Sequence, residues 1–181
     1  MKKSISILGS TGSIGLNTLK IFKKKKNLFK INILTANRNF KLISKQINEF
    51  KPNIFVIHDI KVFIKVKKKF VKNKVNIVNK LNIKKNNFKK SDITIAAIPG
   101  IAGLNPTIEM TKISKKILIA NKESIICGWN LIKKTAKINN TKIIPIDSEH
   151  FSIMKLLENH NIKDVKKIYL TASGGPFLKH K

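Results

Sequence analysis

The sequence is poor in several residue types, and each scarcity excludes a class of protein. A single cysteine, Cys127, in 181 residues cannot form an intrachain disulfide and fits a reducing compartment. The longest uncharged stretch, residues 93–108, is too short for a membrane span and contains two prolines. The apolar run after Met1 ends at Gly9, so we expect a strand there and not a secretory signal. We expect Cys127 to be a small buried residue.

Acidic residues are also scarce, and the resulting charge needs interpretation. Nine acidic residues oppose 38 basic ones, for a formal charge of +29. Arg38 is the one arginine among them, although arginine is the residue best suited to forked contacts with phosphates and guanine. Lysine, asparagine and isoleucine, all with AT-rich codons, are spread along the whole chain. The composition therefore favours AT-rich coding over a selected nucleic-acid face, while a polyanion-binding protein stays open as an alternative.

Short apolar blocks alternate with amphipathic ones from one end of the chain to the other. Strands are predicted at residues 4–8, 31–35, 54–57, 75–78, 93–98, 117–120, 143–146 and 167–171. Helices are predicted after the glycine-rich residues 9–15 and at residues 40–50, 61–71, 105–113, 124–138 and 151–159. Residues 82–90 are low in complexity and predict a solvated loop. This order predicts an α/β fold, a parallel sheet with helices on both faces.

A glycine-rich segment lies between the first strand and the first helix. It reads Gly9-Ser10-Thr11-Gly12-Ser13-Ile14-Gly15. Glycines there let the backbone approach a pyrophosphate, whose charge is met by free N–H groups at the helix start. A glycine pattern alone is weak, but this position in an alternating chain favours a dinucleotide site over a plain tight turn.

The end of the second predicted strand indicates which dinucleotide binds. An NAD site places an acidic residue there for the ribose 2′-hydroxyl, whereas an NADP site uses a cation for the 2′-phosphate. The sequence offers Ala36-Asn37-Arg38-Asn39, with no acidic residue and with the one arginine of the chain. NADP is therefore the predicted coenzyme.

Polar residues follow two later strands. Asn121-Lys122-Glu123-Ser124 comes after the strand at 117–120, and Asp147-Ser148-Glu149-His150 after the strand at 143–146. Ligands of open parallel sheets lie at the carboxyl ends of strands, so both clusters are expected at the same edge as the glycine segment. Paired carboxylates suit Mg²⁺ or Mn²⁺. Helix capping by Asp147 or Ser148, with Glu149 in the first turn, explains the second cluster equally well.

A last segment, Ser173-Gly174-Gly175-Pro176-Phe177, follows the final predicted strand. Its hydroxyl and unhindered N–H groups could cradle a substrate phosphate. A plain turn is the other interpretation.

Together, the glycine segment, Ala120-Asn121-Lys122-Glu123-Ser124, Pro145-Ile146-Asp147-Ser148-Glu149-His150 and the Ser-Gly-Gly-Pro-Phe segment resemble the 1-deoxy-D-xylulose 5-phosphate reductoisomerase family, in its order and spacing. The resemblance implies a Rossmann-like fold and an NADPH- and metal-dependent oxidoreductase of non-mevalonate isoprenoid biosynthesis. Such an enzyme isomerises 1-deoxy-D-xylulose 5-phosphate and reduces the product to 2-C-methyl-D-erythritol 4-phosphate.

The resemblance also implies roles for individual residues. Coenzyme contacts fall on Thr11, Gly12, Ser13, Ile14, Asn37, Arg38, Asn39, Asn121 and Glu123. Asp147 and Glu149 match ligands of Mg²⁺ or Mn²⁺, which raises the metal interpretation above capping alone. Substrate contacts fall on Lys122, Ser148, Glu149 and Ser173, and the expected catalytic set is Lys122, Asp147 and Glu149.

Further expectations concern the organisation of the protein. Residues 1–146 are expected to form the NADPH-binding domain, and residues 147–181 the start of a catalytic domain. The family's chains continue with a third metal-binding glutamate, a lid and a helical domain, so we expect a truncated chain with an incomplete active site. A homodimer of the full-length form and a bacterial cytoplasmic location are expected, without specific nucleic acid or membrane partners. Competing interpretations are a different NADP oxidoreductase, a basic polyanion-binding protein and a non-catalytic NADPH-binding remnant.

Overall fold

Strands and helices alternate along the chain, as the sequence predicts. The computed structural model describes residues 1–83 and 88–170. Their strands are β1 (Lys3–Leu8), β2 (Phe29–Ala36), β3 (Ile54–Ile57), β4 (Asn76–Val78), β5 (Ser91–Ala96), β6 (Ser114–Ile119) and β7 (Lys142–Pro145). Their helices are α1 (Ser13–Lys24), α2 (Phe40–Phe50), α3 (Ile60–Lys69), α4 (Leu104–Thr111), α5 (Lys122–Ile138) and α6 (Ser148–Leu157). Short 3₁₀ turns lie at Ile101–Gly103 and Ile162–Asp164. None of the helices within the described ranges is long and apolar enough to cross a membrane.

The seven strands form one parallel sheet in the order β4-β3-β2-β1-β5-β6-β7. The order reverses between β1 and β5, because the chain builds one half of the sheet outward from β1 and then returns to build the other. In such sheets the loops on either side of the reversal separate, and a crevice opens at the carboxyl ends of the strands. The predicted parallel α/β fold is therefore confirmed, and it places the glycine segment at this crevice.

The hydrophobic core lies on both faces of the sheet. Ile7, Leu34 and Phe55 contribute to the cluster on one face, which is covered by Ile43 and Ile47 of α2. A second cluster contains further strand residues with Met110 of α4 and Ile132 of α5. Adjacent residues of a strand point to opposite faces, so the uninterrupted and fully buried apolar run of β3 is what a doubly covered sheet requires.

Four helices begin at an asparagine or aspartate whose side chain accepts a backbone N–H of the first turn. These N-cap residues are Asn39, Asp59, Asn121 and Asp147, at the starts of α2, α3, α5 and α6. The bonds satisfy amide groups that would otherwise lack a partner at a helix start. They therefore fix the residue at which each helix begins, close to the carboxyl ends of the strands.

Three local predictions differ from the structure. The strand predicted at 167–171 is not formed over residues 167–170, because no strand of the described chain pairs with them; Thr171 lies outside the described residues. Phe88, in the predicted solvated loop, is buried in the core and the carbonyl of Lys89 accepts from Asn32. Cys127 is exposed and not buried, because α5 turns its neighbours Ser124 and Gly128 towards the protein.

Candidate functional site

The glycine segment makes a sharp turn between β1 and α1. Gly9 has a φ of +80°, a left-handed conformation that glycine adopts without steric cost. Gly12 is the N-cap of α1, and no side chain caps this helix. The first amide groups of α1 are thus left for a ligand, which is the arrangement that binds phosphates at helix starts.

Two glycines of the segment are required by close backbone contacts. A Cβ added to Gly9 would lie 2.8 Å from the carbonyl oxygen of Ala97, in the loop after β5. At Gly15 it would lie 2.7 Å from the Cα of Ser10, and closer still to the carbonyl oxygen of Gly9. Side chains at these positions would push α1 and the β5 loop away from the turn, so both glycines determine the shape of the crevice.

A cleft of about 610 Å³ occupies the crevice at the sheet reversal. Thr11 and Gly12 line it on the side of the glycine segment, and Asn37 lines it at the end of β2. The wall opposite is made of the apolar loop after β5 and the start of α4, including Ile98, Pro99, Ala102 and Pro106. The cleft therefore joins a polar, amide-rich side to an apolar side, which is what a nucleotide with charged and aromatic parts requires.

Four more residues predicted for the coenzyme follow these lining residues in the chain but are not themselves part of the lining. Ser13 and Ile14 are exposed on the first turn of α1. Arg38 is exposed on the turn between β2 and α2. The side chain of Asn39 accepts the N–H of Leu42 at 3.0 Å, so its carbonyl oxygen is used to cap α2.

Sequence reasoning missed His58, which lines the same cleft at the end of β3. His58 is exposed at the surface, yet partial loss of water around its ring disfavours the charged imidazolium and lowers its pKa below the usual value. A histidine directly after an apolar strand, at the carboxyl edge of the sheet, is the signal that would have found it.

Asn121 holds the β5 loop and does not project freely into the cleft. It is 4% exposed, and its Nδ2 donates to the carbonyl oxygens of Gly100, at 2.8 Å, and of Ile98. Its Oδ1 accepts the N–H of Ser124 at 3.1 Å. The amide is therefore fully used within the protein. Lys122 and Glu123, the next two residues, are exposed at the start of α5.

A second cavity of about 500 Å³ lies beside the ends of β6 and β7. Lys122 from the start of α5 and Asp147 and His150 from the start of α6 line it together. Its other walls are apolar, with Trp129 of α5 among them. The structure thus brings Lys122 and Asp147 from the two predicted polar clusters to one cavity.

The second cluster is organised as the start of α6. Asp147 Oδ1 accepts the backbone N–H of His150 at 3.0 Å and lies 2.6 Å from His150 Nδ1. Glu149 is in the first turn and accepts from the hydroxyl of Ser148 at 2.9 Å. The predicted capping by Asp147 is therefore confirmed, and it occupies one oxygen of that carboxylate.

Both carboxyl groups are kept ionised near neutral pH. Burial alone would raise the pKa of Asp147, but the hydrogen bonds and charge of His150 outweigh it and lower that pKa. The pKa of Glu149 is lowered by its own backbone N–H and by the Ser148 hydroxyl. Ionised carboxylates are the donors that a hard divalent cation prefers, so these residues fit Mg²⁺ or Mn²⁺.

Over residues 1–83 and 88–170, no three acidic, histidine or cysteine side chains form a metal-binding group. Ser173 lies outside the described residues.

Two protein-family models match the chain. The model of the family described as 1-deoxy-D-xylulose 5-phosphate reductoisomerase matches residues 5–128, and the model of that enzyme's C-terminal domain matches residues 143–181. A protein named 1-deoxy-D-xylulose 5-phosphate reductoisomerase from Pelagibacter ubique is 49% identical over 179 residues, which are 97% of this chain and 46% of the relative.

Solved structures of the same family share the fold. The reductoisomerase from Zymomonas mobilis in complex with NADPH superposes with a TM-score of 0.87 at 31% identity, over 99% of this chain and 48% of its own. A reductoisomerase structure with fosmidomycin and magnesium gives a TM-score of 0.82 at 32% identity, with the same coverage. The chain therefore spans about half the length of the relatives it matches.

Proposed function

Because the chain belongs to the 1-deoxy-D-xylulose 5-phosphate reductoisomerase family, we propose that it binds NADPH and takes part in the metal-dependent conversion of 1-deoxy-D-xylulose 5-phosphate to 2-C-methyl-D-erythritol 4-phosphate. The observation that carries the proposal is the cleft at the sheet reversal, with open helix amides on one side and Asn37, the residue before Arg38, in its lining. Solved relatives with this fold were determined with NADPH and with magnesium.

In this proposal the coenzyme lies along the cleft. Its diphosphate is bound by the segment from Thr11 to Ile14, because open amides and the positive end of α1 favour negative charge. Its 2′-phosphate is bound at residues 37–39, where Arg38 supplies a positive charge. NADH has an uncharged 2′-hydroxyl at this position and would not form the ion pair. Glu123 and the loop held by Asn121 complete the coenzyme site.

The reaction centre is proposed at the cavity beside β6 and β7. Asp147 and Glu149 would hold Mg²⁺ or Mn²⁺, and the bound cation supplies polarisation of the substrate carbonyl. Lys122 places a positive charge at the same cavity, where it would orient an anionic substrate. Ser148, Glu149 and Ser173 are the other proposed substrate contacts, with Ser173 near the phosphate.

The domain division and the completeness of the site belong to the same proposal. We place the boundary between coenzyme domain and catalytic domain after Ile146, close to residue 143, where the match to the C-terminal family model begins. Two carboxylates do not fill the coordination of a magnesium ion, which takes six oxygen ligands. Further ligands must come from water, from substrate oxygens or from protein outside the described residues.

A homodimer in the bacterial cytoplasm is the proposed setting. Large apolar side chains are exposed on α5 and α6, including Ile126 at 78% and Leu156 at 73%. Apolar side chains this exposed support an interface with more protein. Sedimentation of the reductoisomerase containing these residues would give twice the chain mass; a monomer across micromolar concentrations would contradict the dimer.

The reaction is tested with a chimera in which this chain is followed by the second half of the Pelagibacter ubique relative. We expect it to oxidise NADPH with 1-deoxy-D-xylulose 5-phosphate and Mg²⁺, followed by absorbance at 340 nm. Asp147→Asn keeps an N-cap residue and Glu149→Gln keeps the side-chain length, yet each removes a charge, so both should lower kcat by about a hundredfold or more.

Glu158→Gln, at the other end of α6, is the matched control and should leave the rate unchanged, since Glu158 is exposed and pairs with the exposed Lys155. Unchanged turnover after both carboxylates are replaced would contradict the proposed metal site. Rapid turnover by the 181-residue chain alone would contradict the proposal that further protein groups are needed.

A further inference from the structure

We propose that Gln46 is a positioning residue that holds the glycine segment in its coenzyme-binding shape. The proposal rests on the proposed NADPH site and deepens it. Gln46 lies on α2, is not among the residues that line the cleft and is 3% exposed. The apolar neighbours Ile43 and Ile47 account for packing of this helix face, so a buried amide among them requires a separate explanation.

The amide of Gln46 makes a two-point contact with a single residue of the glycine segment. Ser10 Oγ donates to Gln46 Oε1 at 2.7 Å, and Gln46 Nε2 donates to the carbonyl oxygen of Ser10 at 2.9 Å. Ser10 itself is fully buried. The Gln46 amide therefore accepts from the side chain of Ser10 and donates to its backbone, so both parts of Ser10 are fixed.

Ser10 is also bonded to β2, which makes it the anchor of the segment. Its N–H donates to the carbonyl oxygen of Thr35 at 2.8 Å, and the N–H of Gly9 donates to Thr35 Oγ1 at 3.0 Å. Ser10 Oγ lies 3.1 Å from the same Thr35 carbonyl, but the hydroxyl has one proton and the shorter distance assigns it to Gln46. The segment is therefore held from β2 on one side and from α2 on the other.

This anchor acts on the groups that would bind phosphate. Gly12 N–H donates to the carbonyl oxygen of Gly9 at 3.1 Å, so the turn that starts α1 is built directly on the two anchored residues. Amides that are already in place bind an anion without first losing conformational freedom. Glutamine is specifically required: glutamate cannot donate to the Ser10 carbonyl, and methionine fills the volume without either bond.

The test compares two ligands that differ in their contact with the glycine segment. NADPH carries the diphosphate, whereas adenosine 2′-monophosphate carries only the adenosine and the 2′-phosphate. Dissociation constants are measured by calorimetry on the full chain. For Gln46→Met we expect about tenfold weaker binding of NADPH, from two lost hydrogen bonds, and binding of adenosine 2′-monophosphate within about twofold of the unaltered protein.

Two further variants keep the test decisive. Ser10→Ala removes one of the two bonds and should weaken NADPH binding by about threefold, so it serves if Gln46→Met does not fold. Ser44→Ala is the matched control, because Ser44 is a buried polar residue of the same helix whose hydroxyl has no partner within the described structure. It should change neither dissociation constant.

Each outcome bears on the proposal. Selective loss of NADPH affinity supports it, while equal weakening of both ligands means that Gln46 only stabilises the fold. Unchanged NADPH affinity in Gln46→Met overturns it, as does unchanged affinity in Ser10→Ala if Gln46→Met does not fold. If the unaltered chain binds adenosine 2′-monophosphate but not NADPH, or binds neither, the proposed coenzyme site is wrong and this inference falls with it.

Discussion

Two buried side-chain amides hold the two loops that border the cleft at the sheet reversal. Gln46 fixes the loop after β1 through Ser10, and Asn121 fixes the loop after β5 through the carbonyls of Ile98 and Gly100. Each amide uses both its donor and its acceptor. Loops cross the carboxyl edge of the sheet without strand pairing, so their backbone groups need such side-chain partners to be satisfied. The shape of the cleft is thus set by residues that do not line it.

Gly15 is the residue whose replacement should disturb this edge most. In an unhindered helix, glycine to alanine gains about 1 kcal/mol of stability. For Gly15→Ala we expect a loss of about 2 kcal/mol instead, because the added Cβ meets backbone atoms of Gly9 and Ser10 that cannot move aside. Chemical denaturation of both proteins measures this difference in unfolding free energy.

Gly12→Ala is the control for that prediction. A Cβ on Gly12 would lie 3.4 Å from the carbonyl oxygen of Gly9, which is an ordinary contact. We therefore expect a smaller loss of stability than at Gly15. A Gly15→Ala protein as stable as the original would show that α1 and the turn can separate without cost.

Three strands are joined at the amino edge of the sheet by Asp92, at the start of β5. One carboxylate oxygen accepts the N–H of Ser4 in β1 at 2.8 Å, and the other lies 2.7 Å from Nζ of Lys115 in β6. The hydrogen bond from Lys115, followed by that from Ser4, lowers the pKa of Asp92. The ionised carboxylate therefore stabilises the junction of β1, β5 and β6.

Acid should weaken this junction. Because the folded-state pKa lies below the unfolded value of about 3.9, the stabilisation is present above about pH 4 and is lost as the pH falls through the folded pKa. Asp92→Asn should reduce the loss of unfolding free energy between about pH 5 and pH 2, measured by urea denaturation.

Lys115→Gln removes the other half of the same ion pair and should also reduce the loss of unfolding free energy in acid. The two changes together should reduce the acid loss by less than the sum of their separate effects, since they break one interaction. An acid loss in Asp92→Asn as large as in the original protein would contradict this role of Asp92.

Helices and strands whose ends are marked by their own residues could be predicted from the sequence. Elements that form only by pairing with a distant segment could not. The helix predicted at residues 40–50 has both ends correct. In the structure the side chain of Asn39 caps its start, and Pro52 follows its end. Residues 167–170 have the apolar pattern of a strand, but a strand exists only when a neighbour pairs with it.

The candidate site likewise contains residues that the sequence could place and residues that it could not. The parallel topology alone brings five predicted residues to the two cavities, because each lies within four residues of the end of a strand: Thr11, Gly12, Asn37, Lys122 and Asp147. Contacts between distant segments leave no such pattern: Gln46 bonds to a residue 36 positions away. The burial of Asn121 was missed for the same reason, since its partners lie more than 20 positions earlier.

The net charge of +29 acts on the molecule as a whole. Because the lysines are spread along the chain, we expect duplex DNA to bind at low salt without sequence preference and to be released steeply towards about 0.15 M salt. Fluorescence anisotropy with two duplexes of equal length and different sequence measures this. Tight binding that survives physiological salt, or a preference for one duplex, would contradict coding drift as the origin of the charge.

The ratio of the dissociation constants of NADH and NADPH for this chain tests the proposed coenzyme site. We expect one saturable site, with NADPH bound about ten- to a hundredfold more tightly than NADH. Arg38→Ala should abolish most of that preference, and Lys24→Ala, at the far end of α1, should preserve it. Equal binding of the two coenzymes, or a preference that survives Arg38→Ala, would contradict the coenzyme site described here.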